Sequence, residues 1–245
     1  MKNKKQFGLI GKNIDYSFSR TYFSKKFEQE KLNCVYKNFD LQSIDKFLSI
    51  FETNTISGLN VTIPYKEVII PFLDELDEEA KAIGAVNTVK IENDKLIGYN
   101  TDHHGFSKSI QPHLNKTHKR ALILGTGGAS KAIAYALECL GIEVRFVSRK
   151  NHNKEIYKYE DLHTQDIKEH TIIINSTPLG TYPNTEDCPN IPYGELSENH
   201  LVYDLIYNPM ETKFLKYGKK AGAKTINGLE MLHLQAEKSW EIWHL

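Results

Sequence analysis

Two groups of residues in this sequence could take part in chemistry. The first is a glycine-rich turn, Gly125-Thr126-Gly127-Gly128-Ala129-Ser130. The second is an upstream polar set that ends in Lys66 and Asp102, an amine and a carboxylate suited to moving a proton to or from a hydroxylated substrate. A dinucleotide cradle combined with a proton-transfer pair predicts a hydride-transfer enzyme.

The glycine-rich turn has the flanks that a dinucleotide-binding fingerprint needs. Residues 120–125 form a short apolar run, and residues 129–140 have the apolar spacing of a helix. We expect Gly125 to allow the tight turn, Gly127 to let backbone N–H groups approach a pyrophosphate, and Gly128 to permit close helix packing. The pattern G-x-G-G-A-S displaces the third glycine of the usual fingerprint, so a plain structural turn is the alternative.

The end of the next apolar run indicates which dinucleotide binds. Residues 142–148 read as a strand, and Ser148 and Arg149 follow where an NAD site commonly has an acidic residue. A guanidinium can bind a 2′-phosphate through two hydrogen bonds, and Lys150 or Lys154 would add positive charge. The sequence therefore predicts NADP, with an ordinary solvated basic loop as the alternative.

Composition excludes several other classes of protein. The 245 residues suffice for two modest domains, and 31 basic residues balance 31 acidic ones, so a nucleic-acid partner is not expected. No apolar run approaches the length of a membrane span, and a cytoplasmic protein is expected. Three widely spaced cysteines argue against a disulfide framework and a cysteine-rich zinc site.

Apolar runs alternate with helical patterns, which is typical of parallel α/β layers. Besides the strands that flank the glycine-rich turn, strands are predicted at about residues 7–10, 34–39, 58–62, 85–90, 95–99, 171–175 and 201–205. Besides the helix after that turn, helices are predicted at about residues 21–31, 44–51, 75–83, 211–221 and 229–243, with a connecting helix after Asp102. Pro64 predicts the first turn of a further helix.

Several motifs together resemble shikimate dehydrogenases in order and spacing, over nearly the whole chain. They are Ser17-Phe18-Ser19, N-V-T-I-P-Y-K at residues 60–66, G-A-V-N-T at 84–88, N-T-D at 100–102, the glycine-rich turn, and residues 227–235. The resemblance implies an α/β fold with an N-terminal α/β substrate-binding domain, a C-terminal Rossmann-type NADP-binding domain and a cleft between them. It also implies the NADP-dependent interconversion of 3-dehydroshikimate and shikimate.

The same resemblance implies a discontinuous first domain. Residues 1–101 and 236–245 would form the substrate-binding and catalytic domain, and residues 102–235 the NADP-binding domain. Monomer and homodimer both remain open.

By resemblance, the catalytic lysine of the family falls on Lys66 and its aspartate partner on Asp102. If Pro64 begins a helix, its macrodipole disfavours the charge on Lys66, whereas an ionised Asp102 nearby favours it. These opposing effects would keep the amine usable as an acid in reduction and as a base in oxidation.

The resemblance also implies the substrate contacts. Ser17 and Ser19 would donate to the substrate carboxylate, and the remaining contacts would come from Thr62, Asn87, Asp102, Tyr207 and Gln235. Each of these residue types can make the hydrogen bonds required. Because both serines precede a predicted helix, simple N-capping is the alternative for each.

The cofactor contacts follow in the same way. Besides the glycine-rich turn with Thr126, Ala129 and Ser130, the resemblance implies contacts from Ser148, Arg149, Thr177, Leu205 and Gly228. Ser148 replaces the usual asparagine at its position, and the stretch from residue 149 to residue 170 is short. We therefore expect one helix of the second domain to be reduced to a turn.

Two other functions stay open at this stage. A quinate/shikimate dehydrogenase of broader specificity is the nearest variant, although Arg149 argues against its NAD-preferring forms. A non-catalytic metabolite-binding paralogue would be expected to lose Lys66 or Asp102, and this chain has both. His103 and His104 lack a third ligand at a suitable spacing, so no metal site is predicted.

Overall fold

The chain divides into two compact units. The computed structural model describes residues 4–15, 17–149 and 156–244. The first unit comprises residues 1–102 and 235–245, and the second comprises residues 103–234. The expected boundaries lie one residue away at both junctions and put Asp102 and Gln235 in the second domain. Both residues belong to the first unit, in which their side chains hydrogen-bond to Asn87.

Six strands form one mixed sheet in the first unit. They are β1 (Lys5–Gly11), β2 (Cys34–Asp40), β3 (Ile56–Val61), β4 (Glu75–Leu76), β5 (Thr88–Glu92) and β6 (Lys95–Tyr99). Their order is β2-β1-β3-β5-β6-β4. Strand β1 pairs in parallel with β2 and β3, whereas β5 runs antiparallel to β3 and β6. The β5–β6 hairpin joins the two strands predicted at 85–90 and 95–99, and Asn93 and Asp94, with φ of 51° and 61°, form its tight turn of the I′ kind.

The described residues form eight α-helices along the chain. They are α1 (Phe18–Gln29), α2 (Ile50–Thr53), α3 (Glu78–Ile83), α4 (Asp102–Ile110), α5 (Gly128–Cys139), α6 (Thr164–Glu169), α7 (Lys213–Lys220) and α8 (Leu229–Ile242). The helix predicted at 44–51 is instead a 3-10 helix, Ile44–Lys46, followed by α2. The helix predicted at 75–83 starts only at Glu78, because the Asp77 carboxylate accepts a hydrogen bond from the Ala80 N–H at 2.8 Å and caps it.

Two apolar clusters lie on opposite faces of the first sheet, since successive side chains of a strand alternate between faces. Ile10 and Leu59 belong to one cluster. Phe7 and Leu9 belong to the other, together with Trp243 near the C-terminal end of the chain. The C-terminal residues therefore cover one face of a sheet that the N-terminal residues build.

Six strands form a fully parallel sheet in the second unit. They are β7 (Arg120–Leu124), β8 (Glu143–Ser148), β9 (Ile156–Lys158), β10 (Ile172–Asn175), β11 (Leu201–Asp204) and β12 (Lys224–Ile226). Their order, β12-β11-β10-β7-β8-β9, is the 3-2-1-4-5-6 arrangement of a doubly wound dinucleotide-binding fold. Ligands of such sheets bind beyond the carboxyl ends of the strands, next to the point where the strand order reverses, which here lies between β7 and β10.

Helices cover both faces of this second sheet. Ile133 and Leu137 of α5 pack on one face, and Ile167 of α6 and Phe214 of α7 pack on the other. Between residues 149 and 170, α6 connects β9 to β10 after a 3-10 helix at Tyr159–Asp161. The helix expected to be reduced to a turn would connect β8 to β9, where residues 150–155 lie outside the described residues. Among the described residues, no helix has the length and apolar character that crossing a membrane requires.

Candidate functional site

Lys66 lies in a run of turns after β3, not in a helix. The Tyr65 N–H donates to the Thr62 carbonyl at 2.9 Å, the Ile69 N–H donates to the Tyr65 carbonyl at 3.0 Å, and a 3-10 helix follows only at Ile70–Phe72. The helix predicted at Pro64 is therefore wrong. The helix dipole expected from Pro64 therefore does not act on the Lys66 amine, and the nearest charge is the carboxylate of Asp102.

The main neighbour of Lys66 is Asp102, the first residue of α4. Lys66 Nζ lies 2.6 Å from Asp102 Oδ2, and the two side chains are only 15% and 7% exposed. The Asp102 N–H donates to Asn100 Oδ1 at 3.0 Å, and Asn100 Nδ2 donates to the Ala85 carbonyl at 2.8 Å. The carboxylate is thus held on a fixed backbone and shielded from water, where an ion pair is stronger than at the surface.

Asn87 holds the other oxygen of this carboxylate. Its Oδ1 accepts a hydrogen bond from the Thr101 N–H at 2.6 Å, so its Nδ2 must face Asp102. Nδ2 donates to Asp102 Oδ1 at 2.9 Å. The orientation of the Asn87 amide is therefore fixed by a backbone donor.

Gln235 of α8 reaches the same cluster. Its Oε1 lies 3.4 Å from Asn87 Nδ2 and 3.4 Å from Thr101 Oγ1, and the residue is buried. Four of the predicted site residues, Lys66, Asn87, Asp102 and Gln235, thus form one connected group in the first unit.

The two predicted carboxylate-binding serines lie at the start of α1. Ser17 is the N-cap of α1, and its Oγ accepts from the Arg20 N–H at 3.3 Å and donates to Asn38 Oδ1 at 3.0 Å. Ser19 lies inside the first turn and its side chain hydrogen-bonds to Tyr36. N-capping therefore applies to Ser17 alone.

The two other predicted substrate residues are Thr62 in the first unit and Tyr207 in the second. Thr62 is half-buried at the end of β3, and its N–H donates to the Ile10 carbonyl at 2.8 Å. Tyr207 follows β11 in the second unit, and burial raises the pKa of its hydroxyl.

Buried polar residues to which no role was assigned from the sequence connect this site to the sheet. The Tyr36 hydroxyl donates to Asn60 Oδ1 at 2.7 Å, and burial raises the Tyr36 pKa well above its ordinary value. Asn60 Nδ2 donates to Ser239 Oγ of α8 at 2.9 Å. One signal was available in the sequence, because Ser239 follows Gln235 by four residues and so lies on the same helix face.

The second unit presents a helix N-terminus at the carboxyl end of β7. Gly125 has a φ of +117°, which favours glycine, and its N–H donates to the Val147 carbonyl at 2.8 Å. Gly127 is the N-cap of α5, and a Cβ atom added there would meet nothing within 4 Å. No acidic residue lies in the first turn of α5. An anion such as a pyrophosphate fits this end of the helix, because its N–H groups and its dipole both favour negative charge.

Side chains of this turn also contact the next strand end. Ser130 Oγ lies 2.7 Å from Ser176 Oγ, and Ser176 Oγ donates to the Leu124 carbonyl at 2.8 Å. Thr126 and Ala129 are half-buried beside them. The glycine-rich turn is therefore joined to the loop that begins at Ser176.

A buried carboxylate that sequence reasoning missed organises the ends of β10 and β11. Asp204 Oδ1 accepts from Asn175 Nδ2 at 3.0 Å and from the Ile206 N–H at 3.1 Å, while Oδ2 accepts from Thr212 Oγ1. Asn175 Oδ1 in turn accepts from the Thr177 N–H at 3.0 Å and from the Thr177 hydroxyl at 2.6 Å. Burial raises the pKa of Asp204 to about 6.

Leu205 and Gly228 lie against each other at this edge. A Cβ atom on Gly228 would lie 2.0 Å from the Leu205 carbonyl oxygen, and the Gly228 N–H donates to the Ile206 carbonyl at 3.1 Å. Glycine is required at this position because two backbone segments approach so closely.

The residues predicted to contact the 2′-phosphate lie at the end of β8. Ser148 is the last residue of β8, and Arg149 after it is exposed. Lys150 and Lys154, which could add charge, lie outside the described residues. In the part of the chain that the structure describes, no group of three His, Cys, Asp or Glu side chains is placed to hold a metal ion.

Comparisons with known proteins indicate the family of this chain. Residues 9–89 match the model of the shikimate dehydrogenase substrate binding domain. A shikimate dehydrogenase (NADP(+)) of Methanococcus maripaludis is 44% identical over 98% of this chain and 91% of its own length. The crystal structure of shikimate dehydrogenase from Aquifex aeolicus has a TM-score of 0.88 at 36% identity, over 99% of this chain and 94% of that one. Shikimate 5-dehydrogenase from Thermus thermophilus, solved with NADP(H) and shikimate, has a TM-score of 0.86 at 29% identity, over 98% of this chain and 93% of that one.

Proposed function

The chain belongs to the shikimate dehydrogenase family, and we propose that it catalyses the reversible, NADP-dependent reduction of 3-dehydroshikimate to shikimate. The resemblance, the two-domain α/β fold class and NADP as the cofactor, all predicted from the sequence, are confirmed by the relatives and solved structures. The activity of this chain rests on one observation above the others, the shielded pair of Lys66 Nζ and Asp102 Oδ2 at 2.6 Å.

We assign the proton-transfer step to Lys66. In reduction its ammonium gives a proton to the oxygen of the substrate carbonyl, and in the reverse direction the amine takes that proton from the hydroxyl. Bound NADPH supplies the hydride that reduces the carbonyl carbon. Asp102 holds the amine in place, and Asn87 holds Asp102, through the hydrogen bonds described above.

The remaining predicted contacts follow from the residue chemistry. Ser17 and Ser19 would donate to the carboxylate by turning their hydroxyls from Asn38 and Tyr36, and Thr62, Gln235 and Tyr207 would add polar contacts to the substrate. The N-terminus of α5 from Gly127 onward would hold the pyrophosphate, and Arg149 would hold the 2′-phosphate. Thr177, Leu205 and Gly228 belong to the strand ends where the nicotinamide of a doubly wound fold binds.

One panel of assays tests this function. Purified protein is incubated with shikimate or quinate and with NADP⁺ or NAD⁺, and the formation of reduced cofactor is followed by absorbance. We expect the highest kcat/KM for shikimate with NADP⁺. A preference for quinate would favour the broader quinate/shikimate dehydrogenase, and binding of shikimate without any reduction of cofactor would favour a non-catalytic metabolite-binding protein. Light scattering on the same sample decides between monomer and homodimer.

A further inference from the structure

Ser239 is a polar residue at the buried face of α8, where an unbonded hydroxyl would be costly. It is 0% exposed, and it lies one helical turn after Gln235. Neither the family motifs nor the proposed chemistry uses this residue.

Four polar groups surround the Ser239 hydroxyl. Its Oγ lies 2.8 Å from Thr88 Oγ1, 3.2 Å from Thr101 Oγ1 and 3.0 Å from the Gln235 carbonyl, and it accepts from Asn60 Nδ2 at 2.9 Å. The direction of the last bond is fixed, because Asn60 Oδ1 already accepts from the Tyr36 hydroxyl. A single hydroxyl thus joins α8 to β3, to β5 and to the residue before α4.

Thr101 carries this contact to the catalytic pair. Its N–H donates to Asn87 Oδ1 at 2.6 Å, and its Oγ1 accepts from Asn87 Nδ2 at 2.9 Å. Asn87 Nδ2 also donates to Asp102 Oδ1, and Asp102 Oδ2 pairs with Lys66. Displacement of Thr101 would change the orientation of Asn87 and, through it, of the carboxylate.

We propose that Ser239 is a positioning residue for the reaction, which fixes Thr101 and Asn60 and thereby the geometry of Asn87, Asp102 and Lys66. This inference deepens the proposed function and rests on it. Ser239 itself touches neither substrate nor cofactor in this proposal.

The test removes the hydroxyl by Ser239→Ala, a change that suits a helix. We expect kcat/KM for shikimate to fall about tenfold, mostly through kcat, because misaligned catalytic groups lose rate more than affinity. The KM for NADP⁺ should stay within about twofold of wild type, since no cofactor contact changes. Ser239→Thr keeps the hydroxyl and should recover a large part of kcat.

Ser109→Ala is a matched control. Ser109 is also a helical serine with 0% exposure, and its Oγ lies 2.7 Å from the Tyr203 hydroxyl and 2.9 Å from the Phe106 carbonyl in the second unit. These hydrogen bonds join the Ser109 side chain to Tyr203 and Phe106, not to Lys66 or Asp102. We expect Ser109→Ala to lower Tm by a similar amount and to leave kcat/KM unchanged.

The proposal is overturned if Ser239→Ala lowers Tm as Ser109→Ala does and keeps kcat/KM within about twofold of wild type. If Ser239→Ala does not fold, Ser239→Cys replaces it, because a thiol fills the site and is only a weak hydrogen-bond donor and acceptor. The expected loss of kcat and the refuting result are the same for that variant. Wild-type protein is assayed in parallel: an inactive wild type refutes the proposed function itself, whereas an active wild type with unaffected variants refutes only the role of Ser239.

Discussion

Replacement of Lys66 by methionine is the most direct perturbation of the proposed chemistry. Methionine keeps most of the length of the lysine stem and removes the ammonium group. Asp102, Asn87 and the turn at residues 62–69 remain in place, since their backbone hydrogen bonds do not involve the lysine side chain. Any loss of rate then reports on the missing proton donor.

The expected loss follows from what one acid–base group contributes. General acid–base catalysis is typically responsible for about 10²–10⁴-fold in rate, or about 2.7–5.5 kcal/mol of activation free energy. We expect kcat of Lys66→Met to be about 10²–10⁴-fold lower than that of wild type. The Kd for shikimate, measured by calorimetry, should change far less, because the serines, Asn87 and Gln235 are intact.

The same substitution has a predictable effect on stability. Asp102 is only 7% exposed on its side chain, so loss of Lys66 leaves a buried carboxylate with Asn87 as its remaining side-chain donor in the cluster described above. Removing one partner of a buried pair typically costs about 3–5 kcal/mol. Adding Asp102→Asn removes the uncompensated charge, so the double variant should recover stability in urea unfolding without recovering turnover.

Turnover of Lys66→Met within a factor of about three of wild type would exclude the lysine as the proton-transfer group. A double variant that recovers turnover together with stability would show that the single variant had merely lost folded protein. Circular dichroism at the assay temperature separates these cases.

Three further predictions concern the second unit. Arg149→Ala should raise the KM for NADP⁺ about tenfold or more and leave that for NAD⁺ nearly unchanged, because charge-assisted bonds contribute about 1.5–3 kcal/mol; equal weakening of both cofactors would contradict a phosphate contact. Gly127→Ala should fold normally and bind NADP⁺ poorly, whereas Gly194→Ala, where a Cβ likewise meets nothing within 4 Å, should behave as wild type in both respects. Burial raises the pKa of Asp204 to about 6, so its protonation stabilises the fold fully below about pH 4, and this contribution is lost as the pH rises through about 6. Urea unfolding should therefore show wild type losing about 2 kcal/mol more than Asp204→Asn between about pH 4 and about pH 7, and parallel profiles would refute the shift.

The elements that follow from local patterns were predictable from the sequence. The apolar run before Gly125 and the helical spacing after it yielded β7 and α5, because periodicity reports directly on which face of an element is buried. Helix starts were less predictable. Ser17 and Asp77 set the first residues of α1 and α3 through single side-chain bonds, and a pattern of apolar residues does not report on such bonds.

Pro64 shows how a sound local rule can fail. Proline suits the first turn of a helix, but it suits turns equally well, and the sequence does not distinguish the two. The structure has turns from residue 62 onward. Of the two electrostatic effects predicted for Lys66, the dipole of a helix at Pro64 is therefore absent and the charge of Asp102 is present. The identity of the amine was readable from its motif, whereas its electrostatics depended on tertiary contacts.

The buried polar residues mark the limit of motif-based inference. Asn60 and Thr88 belong to two of the motifs and Ser239 to none, and the spacing of the motifs does not show that these three side chains contact one another. Their importance arises only when the fold removes them from water, because every donor and acceptor then requires a partner. In this chain those partners lead through Thr101 and Asn87 to Asp102. In the proposed mechanism, the residues that satisfy these buried hydrogen bonds also orient Asp102 and Lys66. A substitution that removes one of the bonds should therefore lower both stability and turnover.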